Sequence, residues 1–127
     1  MNEQQFKERT KQLALRVIRM VEALPKNLAA QVIGKQILRS ATSVAANYRA
    51  ACRSRSQAAM IAKLDIVLEE ADETLFWLEL LVDSALMSTN RLVELTSETN
   101  QIIAMTVASL KTLRAKPHTP RYALGNA

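Results

Sequence analysis

From Gln57 to Leu86 the chain runs without a break in helical periodicity. At about 1.5 Å of rise per residue such a rod is roughly 45 Å long, more than one small core usually needs. Ile61, Leu64, Leu68, Ala71, Leu75, Leu78 and Val82 step by three and four residues, the rhythm of a helix seam. Asp65, Glu69, Asp72, Phe76, Glu79 and Asp83 form a second line in the same rhythm, acidic but for one aromatic. Ile66, Val67, Trp77, Leu80 and Leu81 widen the apolar share further. So broadly apolar a helix is expected to need neighbours on more than one side.

The same reading yields three more helices. The first spans about Glu3 to Leu24, with Phe6, Leu13, Val17, Met20, Val21 and Leu24 inward and Arg9, Gln12, Arg16 and Arg19 toward water. Pro25 stops it, and Asn27 is placed to cap the next. The second, about Leu28 to Ala51, is rich in small residues (Gly34, Ser40, Ala41, Ser43, Ala45) that allow close helix approach. After Arg53-Ser54-Arg55-Ser56, either serine can cap the long third helix. Ser88 is the expected cap of a fourth, about Thr89 to Lys116, whose apolar face is interrupted by Thr96, Thr99 and Thr106. Pro117 ends it. Residues 1–116 are expected to form one all-α, antiparallel up-down-up-down four-helix bundle, and 117–127 a flexible C-terminal tail.

Composition supports this. Aromatics are only 4% of a chain that is 49% hydrophobic, with two glycines and three prolines, so the core is aliphatic and helical. One cysteine, Cys52, precludes an internal disulfide, and the polar start lacks a signal sequence. No apolar run is long enough for a membrane. The expected compartment is the cytoplasm, with no membrane partner.

Charge changes the picture more. Residues 27–63 carry six basic groups and no acid; residues 64–98 carry nine acids against Arg91 alone. Lys35, Arg39, Thr42, Ala46, Arg49 and Arg53 repeat the spacing of the acidic line. Three readings stay open. The stripes pair within one chain as exposed ion pairs worth at most about 1 kcal/mol each. The acidic stripe of one copy, with Asp65, Glu69, Asp72, Phe76, Trp77 and Glu79, meets the basic stripe of another. Or the basic face, with Lys35, Arg39, Arg49, Arg53, Arg55 and Lys63, tracks an RNA or DNA backbone, with little base reading because Tyr48 is its one aromatic.

Catalytic templates fail. The single histidine, His118, lies between prolines in the tail. Arg49, Arg53 and Arg55 can lower the Cys52 pKa, but the plainer expectation is a small, half-buried thiol without an imidazole partner. Glu69, Glu70, Asp72 and Glu73 lack the histidine that a bundle metal site wants three residues away. No catalytic residue, metal or cofactor is expected, and no enzymatic activity.

Two runs carry a family resemblance. Gln36-Ile37-Leu38-Arg39-Ser40-Ala41-Thr42-Ser43-Val44-Ala45-Ala46-Asn47-Tyr48 resembles the second-helix signature of the small bundle proteins encoded in intervening sequences of bacterial 23S ribosomal RNA genes (the S23 family). Lys63 to Glu73, followed by Trp77-Leu78-Glu79-Leu80-Leu81, is similar to that family's third helix. The resemblance implies a homopentamer with a central channel. It also implies kinship with the accessory protein of diversity-generating retroelements, which associates with nucleic acid and a reverse transcriptase. Many members carry Glu-Gly where this chain has Ala50-Ala51, which makes this end more basic and more helical. The function expected is that of a homo-oligomeric, non-enzymatic bundle contacting nucleic acid. The alternative is a scaffold that binds another protein through its acidic stripe or channel.

Overall fold

Each helix begins where a polar side chain can hold the first free amides. Asn2 accepts from the Gln5 amide and Gln5 answers to the Asn2 amide, closing a capping box. Asn27 accepts from the Ala30 amide at 2.9 Å, and Ser56 from Ala59 at 3.1 Å. Ser88 stands at the last N-cap without a side-chain bond, contrary to expectation. The computed structural model describes residues 2–117, with α1 (Glu3–Glu22), α2 (Leu28–Cys52), α3 (Gln57–Asp83) and α4 (Thr89–Ala115). The expected tail lies beyond them except for Pro117, as does His118.

The all-α four-helix bundle is as expected. Short links make sequence neighbours antiparallel: α2 packs on α1 and α3, α3 on α4, and α1 meets α4 along the thinnest seam. Gly34 explains one close approach, since a Cβ there would stand 3.2 Å from Leu24 Cδ1 and 3.3 Å from Val21 Cγ1.

All four helix ends differ from the sequence reading by one to three residues, the fourth stopping at Ala115 rather than Lys116. The first helix stops at Glu22, and the second runs one residue further, to Cys52. The third ends at Asp83 rather than Leu86, because Ala85 adopts φ 61°. Its amide bonds to Val82 O and that of Leu86 to Leu81 O, the crossed pair of a Schellman turn. Glycine is the usual signal for this turn; here alanine fills the place.

Inside α3 the buried line is Leu64, Val67, Ala71, Thr74, Leu78 and Leu81. Ile61, Leu68, Leu75 and Val82, expected in the seam, flank it half-buried. With Trp77 and Leu80 they form the girdle that a broadly apolar helix requires. Its neighbours α2 and α4 supply most of the cover. Phe76 is the exception, 52% exposed.

Among the described residues five serines and threonines are buried in the core: Thr10, Ser40, Thr74, Thr99 and Thr106. Thr99 and Thr106 donate to the carbonyls of Leu95 and Ile102, so two of the three threonines expected to interrupt α4 are satisfied in its interior, while Thr96 is half-buried at its edge. The hydroxyl oxygens of Ser40 and Thr74 lie 2.8 Å apart between α2 and α3; one of them donates across the seam, and the other accepts there and donates to a carbonyl of its own helix, Ile37 O at 3.2 Å from Ser40 or Glu70 O at 2.8 Å from Thr74.

Arg9 does not face water as expected. It crosses the α1–α4 seam, where its guanidinium clasps Glu98 through Nε at 2.8 Å and Nη2, and reaches Gln101 Oε1 at 3.0 Å. Bonding to Glu98 raises its pKa further.

Candidate nucleic-acid interface

Helical rotation puts Lys35, Arg39, Thr42, Ala46, Arg49 and Arg53 on the outer face of α2, all exposed. The inner face is taken by Ile33, Ile37, Ala41, Val44, Tyr48 and Ala51. Arg49 and Arg53 lean toward α1 and meet Lys7 and Lys11 across a groove of about 580 Å³, with Gln4, Glu8, Thr42, Ala45 and Ala46 as its other walls. Residues four apart on a helix lie about 6 Å apart along its axis. The four cations therefore make two antiparallel rows over a floor of small side chains. None of the four has an ion-pair partner among the described residues.

The remaining nominated cations are dispersed. Lys35 lines a separate groove at the other end of the α1–α2 pair, beside Val21, Leu24 and Gly34. Arg39 is tied to α3: its Nη2 donates to Glu73 Oε1 at 2.6 Å and its Nη1 to Glu70 Oε1 at 3.4 Å. Glu70 Oε2 lies 3.2 Å from the same nitrogen but is buried without a hydrogen bond. Arg55 sits in the α2–α3 link and Lys63 on α3, half-buried. Sequence reasoning missed Lys7 and Lys11. Their four-residue spacing echoes Arg49 and Arg53, but the facing of α1 on α2 depends on the Pro25 turn.

The nominated acidic residues all lie on α3. Asp65 accepts from Arg114 of α4 at 2.7 Å and 2.8 Å; Glu69, Asp72 and Glu79 are exposed and have no ion-pair partner among the described residues. Phe76 stands edge-on to Trp77, ring centroids 4.9 Å apart, and the half-buried indole N–H reaches Glu73 Oε1 at 3.3 Å. The Arg39 guanidinium holds the Glu73 carboxyl below its usual range; burial opposes this, and the Trp77 N–H adds to it. The intrachain pairing of the two stripes is thus not made: Arg39 alone crosses to α3, and it finds Glu70 and Glu73, which are off the stripe.

Cys52 is half-buried, and burial pushes its thiol pKa up, a hydrogen bond with Tyr48 partly offsetting this. The groups that shift it are Tyr48, Glu3 and Lys7 rather than Arg49, Arg53 and Arg55, in line with the plainer expectation of a half-buried thiol. The tyrosine itself is pushed up, mainly by burial. Among the described residues no group of three or more His, Cys, Asp or Glu is placed to hold a metal, and no helix is long and apolar enough to cross a membrane.

The family model for the 23S rRNA-intervening sequence protein matches residues 2–108, which span all of α1 to α3 and most of α4. The chain belongs to that family. A crystal structure of a protein with unknown function from the S23 ribosomal protein family of Bacteroides thetaiotaomicron superposes with a TM-score of 0.81 at 32% identity, covering 87% of this chain and 99% of that one. Among curated proteins no match is found. Family membership fixes the bundle; the basic groove is made by this chain's own Lys7, Lys11, Arg49 and Arg53.

Proposed function

We propose that this member of the 23S rRNA-intervening sequence family is a non-enzymatic, self-associating bundle that holds an RNA or DNA backbone across α1 and α2. The observation carrying this is the groove in which Lys7, Lys11, Arg49 and Arg53 converge without ion-pair partners among the described residues. Four cations in two rows, spaced about 6 Å along each row, suit successive phosphates of a strand. Among the described residues no aromatic ring lines the groove, so bases are not stacked and sequence is read little. Lys35 and Arg55 extend the positive surface; Arg39 and Lys63 are demoted to supporting roles by their positions. The family resemblance makes five the expected number of copies.

Filter binding of labelled duplex at low salt tests the reading. The wild type is expected to retain the duplex, and Lys11→Ala with Arg49→Ala to lose about half of the salt sensitivity, two of four phosphate contacts being gone. No retention at low salt would remove the reading.

A further inference from the structure

The two outer stripes have one rhythm and opposite sign. Laid antiparallel, Lys35 falls opposite Asp83, Arg39 opposite Glu79, Arg49 opposite Glu69 and Arg53 opposite Asp65. Every cation meets an anion. Between them Thr42 stands opposite Phe76 and Ala46 opposite Asp72, so the small residues of one stripe leave room for the ring of the other. Within one chain this match is not realised: Arg39 is engaged by off-stripe acids and Asp65 by Arg114 of α4, exposed pairs that the register exchanges for new ones, and Glu69, Asp72, Glu79 and Asp83 lack ion-pair partners among the described residues.

Resting on the phosphate-site reading, we propose that the acidic α3 stripe of a second copy of this chain competes with nucleic-acid backbone for the basic α2 stripe, so that self-association closes the phosphate site. Charge complementarity selects the occupant. A row of carboxylates at helical spacing presents to Arg49 and Arg53 what a row of phosphates presents, and Phe76 adds an apolar anchor that a phosphate backbone lacks. The contact joins unlike surfaces, so each copy keeps one free stripe of each sign until a ring closes. Antiparallel packing also offsets the helix macrodipoles. Arg49 and Arg53 belong to both interfaces and serve one at a time. Both associations weaken with salt, so chain concentration is the variable that separates them: assembly rises with it and occupancy of the phosphate site per chain falls.

Sedimentation velocity of the full chain with a labelled duplex RNA tests this. Phe76→Ser changes no charge and lies on α3, outside the groove. The wild type is expected to assemble, and excess duplex to convert the assembly into smaller protein–duplex particles. Phe76→Ser is expected to stay monomeric and, at concentrations where the wild type is assembled, to bind duplex roughly tenfold more tightly. Glu69→Gln should shift the same way. An assembly that keeps its size with duplex bound overturns the competition alone, whereas a wild type that is monomeric at every concentration overturns the competition and the self-association of the proposed function with it. Assembly with no duplex binding by either chain overturns the phosphate-site reading and the competition with it.

Discussion

At Ala85 one side chain occupies backbone space that favours glycine, φ 61° in the turn that ends α3. Ala85→Gly is expected to raise stability by about 0.5–1 kcal/mol, the left-handed strain relieved exceeding the chain entropy gained on unfolding; urea midpoints measure it. The Ser40–Thr74 pair is a second test. Thr74→Val removes a buried hydroxyl and should cost about 1 kcal/mol, while the double variant with Ser40→Ala should cost less than the sum of the two. At Cys52 the raised pKa means less thiolate at pH 8 than an ordinary cysteine carries, so alkylation there should be slow, and faster in urea. Glu73 has a depressed folded pKa, so its contribution is present above its ordinary value of 4.5 and fades as pH falls below that. Glu73→Gln should therefore lower stability slightly at neutral pH and flatten the acid limb of the stability curve in that range.

Helices are read from spacing, and their ends from chemistry. Asn27 and Ser56 cap as their residue types suggest, and Pro25 and Pro117 stand just past the helices they end. The end of α3 was illegible because an alanine does the work of a glycine. The rotation of α3 was half legible: periodicity located its apolar side, but Thr74 in the buried line is polar by type, and only its partner Ser40 on α2 makes it a core residue. The α1–α4 seam was not legible. Arg9 looks like a surface residue until Glu98, some ninety positions away in sequence, is folded against it. Arg9→Ala is expected to cost about 1 kcal/mol, the pair being partly exposed, and to speed amide exchange along α1 more than along α3.

Across the whole molecule, segregated charge becomes geometry. The acid-free stretch of 27–63 supplies Arg49 and Arg53, and α1 brings Lys7 and Lys11 to them from outside that stretch. Hence half of the candidate site was visible in composition, and half needed the fold to juxtapose two helices. The apolar girdle of α3, by contrast, is covered mainly by its own chain; the case for self-association rests on Phe76 and the matched stripes. The measurement that reaches the centre of the account is the salt dependence of duplex binding by the wild type and by Lys7→Ala with Lys11→Ala, at a dilution that keeps both monomeric. The wild-type slope of log affinity against log salt is predicted near −4 and that of the variant near −2, from about 0.9 per phosphate contact. Equal slopes for the two proteins would contradict it.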